Sequence, residues 1–356
     1  MSILPLSAPY TLVICEKPNA AERIAEALKE KELKLLKYGK VKVFVVINKD
    51  KIYVICSAIG HLYTVSDSLQ KRYVYPVFDV EWFPLHKVNK TRLDISHRID
   101  IIKKLAKNAN NYINACDFDQ EGETIGFNIL KYACGEKQNL AFRTKFSTLT
   151  KKELQTAFRN AGKGLGNGLA KAGRTRHIID FIFGVNLSRA LSESYYLSNT
   201  GYKNITIGRV QGPTISFVVN REVDIRTFVP IPFWKLYAKM TKNGSILSLD
   251  YETKRIKQQN DVQNIKNKCK KKNGLVTKIT KSLYHQMPPI PFNIGDLQKD
   301  AYTLFGYSPS QTMRISEKLY LDALISYPRT SSQKLPSSID YKKILRILQV
   351  ILGLQL

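Results

Sequence analysis

Four carboxylates fall within the seven residues Asp117 to Glu123 of the stretch Cys116-Asp117-Phe118-Asp119-Gln120-Glu121-Gly122-Glu123, in a chain of 356 residues with a formal net charge of +27. Like charges at that spacing repel and raise one another's pKa unless a cation lies among them. A hard, oxygen-seeking ion such as Mg²⁺ suits such a set. A solvated acidic loop is the plainer reading of the same residues. A second pair, Glu16-Lys17, sets a carboxylate beside an ammonium directly after an apolar run; taken alone it reads as a surface ion pair. The third group is Tyr327-Pro328-Arg329. With 19 tyrosines in the chain, Tyr327 reads on composition as a packing residue. Arg329 two positions on, with Pro328 stiffening the link, gives it a second reading as a nucleophile beside a phosphate clamp.

The elements that must position these groups follow from pattern. Tyr112 to Cys116 reads as a buried strand and Thr124 to Leu130 as a helix, which sets the carboxylates at a strand's C-terminal end, where open α/β sheets bind ligands. Tyr10 to Cys15 is a second such strand. A helix opens at Pro18 and repeats apolar residues at Ala21, Ile24, Ala25 and Leu28. Val41 to Ile47 and Lys51 to Cys56 form a hairpin, and Ser57 to Leu62 a glycine-containing turn that presents His61. Ile99 to Lys107 and Ala170 to Tyr196 are helical; in the latter, Arg176 and Asp180 are four apart and share a face. Gly208-Arg209 and Gln211 precede Pro213 at a helix start, where Arg209 offers a phosphate fork. From Arg226 the composition turns strand-like, then lysine-dense, with Cys269 to Gly274 a solvated loop. Pro288 to Asn293 is a stiff boundary before two helices. Asp296 to Phe305 is the first, and Ser308-Pro309 caps the second, with Ile315, Leu319 and Ala323 in one stripe.

Composition bounds the function. The length implies two to four domains. Lys+Arg outnumber Asp+Glu by 56 to 29, which points to a polyanionic partner, with nucleic acid favoured over membrane because no long apolar span or amphipathic anchor is present. Met1 to Pro5 lacks the features of a signal peptide, so an intracellular, cytoplasmic setting is expected. The five cysteines show no CxxC spacing and read as core thiols rather than as a zinc site or disulfide framework.

Strand-Glu16-Lys17, then Gly60-His61-Leu62, then the DxDxEGE of Asp117 to Glu123, resembles the Toprim domain of type IA DNA topoisomerases, particularly the archaeal, topoisomerase III-like branch. Phe146 to Thr150 resembles the segment after that family's acidic motif. Arg174-Thr175-Arg176, Asp180, Gly184 and Leu187-Ser188-Arg189-Ala190 resemble its long DNA-binding helices, Ile207 to Gln211 its GRVQ motif, and Ile325 to Thr330 its nucleophile motif. The resemblance implies a multidomain α/β and α+β fold. A Toprim α/β domain (residues 1–152) would be followed by a helical DNA-binding segment (153–225), a partial β-rich gate segment (226–285) and a partial, helix-turn-helix-like segment carrying the nucleophile (286–356), with the ring incomplete.

The same resemblance implies chemistry. Tyr327 attacks a phosphodiester and takes the 5′ phosphate, while Arg329 and Lys17 stabilise the phosphate or the leaving oxygen. Glu16 carries a proton, and Glu16, Asp117 and Asp119, with Glu121 close by, hold Mg²⁺. DNA contacts are expected at His61, Ser147, Thr150, Arg176, Arg189 and the run Thr206, Ile207, Gly208, Arg209, Val210 and Gln211. The bonds broken and remade are of similar energy, and no GxxxxGK[ST] loop is present, so ATP is not expected.

Relatives in the family continue well past the nucleophile and supply a further histidine. Here the sequence ends at Leu356 after an apolar run from Ile344, so the expectation is a chain that binds and nicks single strands without relaxing supercoils. Two other classes share parts of the pattern. A Toprim nuclease or primase-like protein would use Glu16 and Asp117 to Glu121 but not Tyr327, and a truncated single-strand binder would bind without cleaving.

Overall fold

In the computed structural model, residues 9–68, 74–164, 167–198, 201–335 and 339–353 are described. Met1 to Pro5, read above for a leader, and the last three residues of the apolar tail lie outside them. The chain divides into two units, Met1–Arg209 with Ile290–Leu356, and Val210–Pro289. The helical stretch expected over residues 153–225 is thus shared between them.

The first unit is built on β1 (Tyr10–Cys15), whose β-branched residues suit a strand buried on both faces. Pro18 opens α1 (Pro18–Leu28), where its missing N–H costs nothing. Next come β2 (Glu32–Tyr38), β3 (Val41–Ile47) and β4 (Ile52–Ser57); β3 and β4 form the expected antiparallel hairpin, while β2 was not foreseen. A small antiparallel pair follows, β5 (Tyr63–Asp67) with β6 (Val80–Pro84), then α2 (Leu85–Val88) and α3 (Leu93–Lys107). β7 (Ala109–Asn114) leads to α4 (Gln120–Asn128), which continues into a π-helical turn at Ile129–Ala133. β8 (Phe142–Arg143), α5 (Lys151–Arg159), β9 (Gly162–Lys163) and the 32-residue α6 (Asn167–Ser198) complete this part.

The sheet order is β2-β3-β4-β1-β7-β8-β9, with β1 parallel to both β4 and β7. Successive residues of one strand point to opposite faces. Leu12, Ile14, Val43 and Val45 therefore pack under α3 and α4 with Ile95, Ile99, Ile102, Leu105, Ile125 and Ile129. Val13, Cys15, Phe44 and Val46 pack under α1 and α5 with Ile24, Ala25, Leu154 and Phe158. Cys15, Cys56, Cys116 and Cys134 are core thiols as expected, whereas Cys269 is exposed. No described helix is long and apolar enough to cross a membrane.

The returning segment carries α9 (Ile294–Phe305), α10 (Pro309–Leu321) and α11 (Tyr341–Leu352). Ser308 caps α10 by accepting from the Gln311 amide. The expected stripe stops short of Ala323, which lies beyond the helix with φ 60. Tyr320 enters the core beneath α1 and α5, and Ile325 and Tyr327 pack against it. The apolar tail around Ile344 and Ile351 is a helix with no buried residue.

The second unit holds α7 (Gln211–Arg226), the antiparallel hairpin of β10 (Tyr237–Lys242) and β11 (Ser245–Asp250), an isolated bridge between Trp234 and Ile256, and α8 (Gln259–Cys269). A helix rather than irregular chain therefore occupies part of the lysine-dense stretch, and Cys269 ends it.

One buried ion pair locks the acidic stretch to the sheet. Arg143, at the end of β8, gives its Nε to Glu123 Oε1 at 2.7 Å, and its other nitrogens to the carbonyls of Cys116 at 2.8 Å and Asp117 at 2.9 Å. Arg143→Met leaves Glu123 buried and uncompensated, and is expected to cost about 3–5 kcal/mol, read as a shift in the urea midpoint of unfolding. A midpoint within experimental error of the parent would show that the pair does not hold this region.

Candidate active site

Parallel pairing of β1 with β7 aligns their ends: Ile14 faces Asn114, and the Ala115 amide still donates to the Ile14 carbonyl at 2.8 Å. The next residues on each strand, Glu16-Lys17 and Cys116-Asp117, must emerge side by side at the sheet's C-terminal edge. The chain then turns tightly into α4. A Cβ on Gly122 would lie 2.2 Å from the Asp117 carbonyl oxygen, and one on Gly126 within 2.4 Å of the Asn114 side chain, so those two glycines set how closely the helix approaches the strand. Asp119 caps α4, accepting from the Gly122 amide at 2.7 Å through Oδ1. The helix thus begins four residues earlier than its apolar pattern indicated, and it enlists one of the candidate metal ligands as its cap.

The three expected groups meet at this edge. Lys17 Nζ lies 3.2 Å from Asp117 Oδ2, 3.5 Å from Glu16 Oε1 and 3.8 Å from Glu317 Oε1. The Tyr327 hydroxyl donates to Asp119 Oδ2 at 2.5 Å, and the Tyr327 amide donates to the Ser147 carbonyl at 2.8 Å. Arg329 reaches Glu317 Oε1 at 2.7 Å.

Burial shapes the electrostatics. It pushes the Glu16 carboxyl up to about 7, aided by the Asp117 charge and opposed by Lys17. Asp117 is raised by burial as well, against the pull of Lys17 and a hydrogen bond from Tyr320. Burial raises the Tyr327 phenol strongly, and the Asp117 charge and the bond to Asp119 add to it. Burial alone would lower Lys17, yet Asp117, Glu16 and Glu317 together raise it. Glu16 Oε2 is buried without a hydrogen-bond partner. Three carboxylates, one of them with an orphaned oxygen, form a donor set that fits a hard divalent cation.

Glu121 makes its contacts within a second group. Its Oε2 accepts from His61 Nε2 at 2.8 Å and His177 Nε2 at 3.1 Å, and Arg176 Nη1 lies 3.6 Å from Oε1. The hydrogen bonds from His177 and His61 hold its carboxyl well below the usual carboxylate range. Its oxygens serve this second group, whereas Asp117 and Asp119 are engaged by Lys17, Tyr320 and Tyr327.

The expected DNA-contacting residues fall into several groups. His61 and Arg176 belong to the Glu121 group, and Arg176 also meets Asp180 at 3.5 Å, as their shared face required. Ser147 supports Tyr327 through its backbone. Thr150 precedes α5, its hydroxyl 2.9 Å from that of Thr148. Arg189 pairs with Asp67 at 3.3 Å. Ile207, flanked by Thr206 and Gly208, exchanges hydrogen bonds with the Ser188 hydroxyl, and Arg209 holds Asp180 at 2.6 Å. Val210 and Gln211 fall in the second unit.

Four participants escaped the sequence reading. Tyr320 donates to Asp117 Oδ1 at 3.2 Å, and its ring stands edge-on to Tyr327 at 5.2 Å. Thr312, Ser316 and Tyr320 are buried at four-residue spacing on α10, a polar stripe that could have flagged it. Glu317, on the same helix, ties Lys17 to Arg329. Arg143 and His177 sit in otherwise unremarkable surroundings and carried no signal.

A sequence model of the Toprim domain matches residues 11–149, and one described as DNA topoisomerase matches residues 165–353. DNA topoisomerase 1 of Methanothermobacter thermautotrophicus is 41% identical over 338 residues, covering 95% of this chain and 46% of the relative. DNA topoisomerase 1 of Pyrococcus horikoshii is 40% identical over 336 residues, covering 94% of this chain and 49% of the relative. The chain therefore spans about half the length of the curated relatives it matches. The structure of full-length topoisomerase I from Thermotoga maritima shares the fold with a TM-score of 0.61 at 24% identity, over 95% of this chain and 52% of that one. Because the two family matches fall in order along the chain and the second alone spans more than half of it, the chain belongs to the type IA DNA topoisomerase family.

Proposed function

We propose that this chain carries the strand-breaking centre of a type IA topoisomerase, in which Tyr327 breaks and rejoins single-stranded DNA without ATP. The observation that carries this reading is the hydrogen bond from the Tyr327 hydroxyl to Asp119, because it joins the only Tyr-Pro-Arg of the sequence to the carboxylates at the ends of β1 and β7. The setting is the cytoplasm, on exposed single strands of negatively supercoiled duplex.

In the reaction the Tyr327 oxygen forms a bond to phosphorus and the bond from phosphorus to the 3′ oxygen breaks, leaving the 5′ phosphate on the enzyme. Rejoining reverses both changes. A free phenol has a pKa near ~10 and is a weak nucleophile at neutral pH, and the surrounding carboxylates raise it further. Asp119 is placed to accept the phenolic proton. Lys17, beside Glu16, is placed to donate to the departing 3′ oxygen. Where no ion offsets the Asp117 charge, Glu16, with its carboxyl pushed up to about 7 by burial and that charge, can hold or release a proton near neutral pH. Arg329 can bind a non-bridging phosphate oxygen once it exchanges Glu317 for the phosphate. Glu16, Asp117 and Asp119 would hold Mg²⁺, which would supply positive charge that offsets these carboxylates and the phosphate.

Three outcomes are expected. When protein, Mg²⁺ and labelled single-stranded oligonucleotide are quenched with detergent, a protein-linked strand appears with the parent chain and is absent with Tyr327→Phe. A surviving adduct in that variant removes Tyr327 from its role, and no adduct with the parent leaves only a DNA-binding protein. Calorimetry of the double variant Asp117→Asn, Asp119→Asn should show weaker Mg²⁺ binding with single-strand affinity retained; equal Mg²⁺ affinity would place the ion elsewhere. Affinity for single strands should fall steeply with salt, and Arg209→Ala should lessen the logarithmic slope by about 0.7 if the guanidinium neutralises one phosphate. An unchanged slope would remove Arg209 from the DNA contact.

A further inference from the structure

We propose that His61, Glu121 and His177 form a binding site for a borderline transition-metal ion of the Zn²⁺ class, separate from the hard-ion site of Glu16, Asp117 and Asp119. Three elements converge to make it. His61 lies on the loop between β4 and β5, just after Gly60, whose φ of +90 turns the chain there. Glu121 stands in the first turn of α4, and His177 on α6. Both imidazoles direct Nε2 at the same carboxylate oxygen, at 2.8 and 3.1 Å, and the three ligating atoms lie within 4.8 Å of one another. Zn–N and Zn–O bonds of about 2.0–2.1 Å put tetrahedral ligands roughly 3.3 Å apart, so two of the three separations already lie near that edge length.

The donor set selects the ion. Two neutral imidazoles with one carboxylate suit Zn²⁺ and its neighbours in the first transition row, whereas Mg²⁺ prefers oxygens throughout. Arg176 approaches the other oxygen of Glu121, at 3.6 Å, and so leaves Oε2 to the histidines and the ion. The three side chains are each between one quarter and one third exposed, which leaves a fourth position open to water or to a phosphate oxygen. Trp82 closes one side, its ring 5.7 Å from that of His177. Among the described residues this is the only His/Cys/Asp/Glu group with such spacing. Ion pairs continue from Glu121 through Arg176 and Asp180 to Arg209. The inference needs only that geometry and holds whether or not Tyr327 cleaves DNA.

The test uses the whole chain without an affinity tag, stripped of metal, in a Cys269→Ser background that removes the one exposed thiol. Zn²⁺ is titrated in competition with a chromogenic chelator, and Co²⁺ binding is followed by its visible absorption. The expected result is one saturable equivalent of Zn²⁺, a tetrahedral Co²⁺ spectrum, and at least a tenfold weakening in His177→Gln and in His61→Gln, each of which keeps an amide donor for Glu121. Zn²⁺ should raise the Tm of the parent and not of His177→Gln, and metal-free melting of both variants reports their folding independently. Asp117→Asn with Asp119→Asn should retain Zn²⁺ binding. Absence of saturable Zn²⁺ binding by the parent, parental affinity in both histidine variants, or loss of Zn²⁺ in the aspartate variant would each overturn the proposal.

Discussion

Two parallel strands, β1 and β7, deliver carboxylates to one buried edge, and the architecture around that edge answers their mutual repulsion. Glu16 and Asp117 emerge from adjacent strands in register, and Asp119 follows within the same turn. In water such charges interact weakly, but burial removes the screening and raises the cost of keeping all of them ionised. Lys17 supplies the nearest positive charge. Tyr320 and Tyr327 add hydroxyl donors, reaching in from a segment some two hundred residues downstream. The edge thus provides the polar partners that the returning segment needs, while the apolar side of that segment packs onto the core shared by α1 and α5. A hard cation is the remaining partner that the donor set suits.

The scaffold that fixes this edge is itself polar and buried. Arg143 spends its guanidinium on Glu123 and on several carbonyls around Asp117, so the loop's backbone is satisfied from within rather than by solvent. Close approach of α4 to β7, which excludes a Cβ at Gly122 and Gly126, turns Glu121 out toward His61 and His177. One short acidic stretch therefore divides its work: Asp117 and Asp119 face the nucleophile, Glu123 anchors the loop, and Glu121 serves a histidine pair.

Much of this was legible in the sequence, because local patterns carried it. The apolar run of β1, the proline opening α1, the β3–β4 hairpin, the strand before Asp117 and the Ser308 cap of α10 are all short-range signals. β2 was hidden because its burial is shallow and its lysines break the alternation. α8 was hidden by lysines that helices tolerate well, and the start of α4 by a cap that doubles as a candidate ligand. Contacts made across the fold were out of reach. Nothing near Glu317 says that it will bridge Lys17 and Arg329, and nothing near His177 says that it will face His61. That Glu121 would meet His61 and His177 was out of reach for the same reason: spacing along the chain does not tell which way the first turn of a helix points.

The central claim is that Tyr327 and the carboxylates at the ends of β1 and β7 form one reaction centre. The most direct measurement is to trap the chain on a single-stranded oligonucleotide with Mg²⁺ and detergent, digest the product with protease and nuclease, and locate the nucleotide by mass spectrometry. The account predicts a 5′-linked nucleotidyl group on the peptide containing Tyr327. A nucleotide on any other residue, or linkage through a 3′ phosphate, would contradict it.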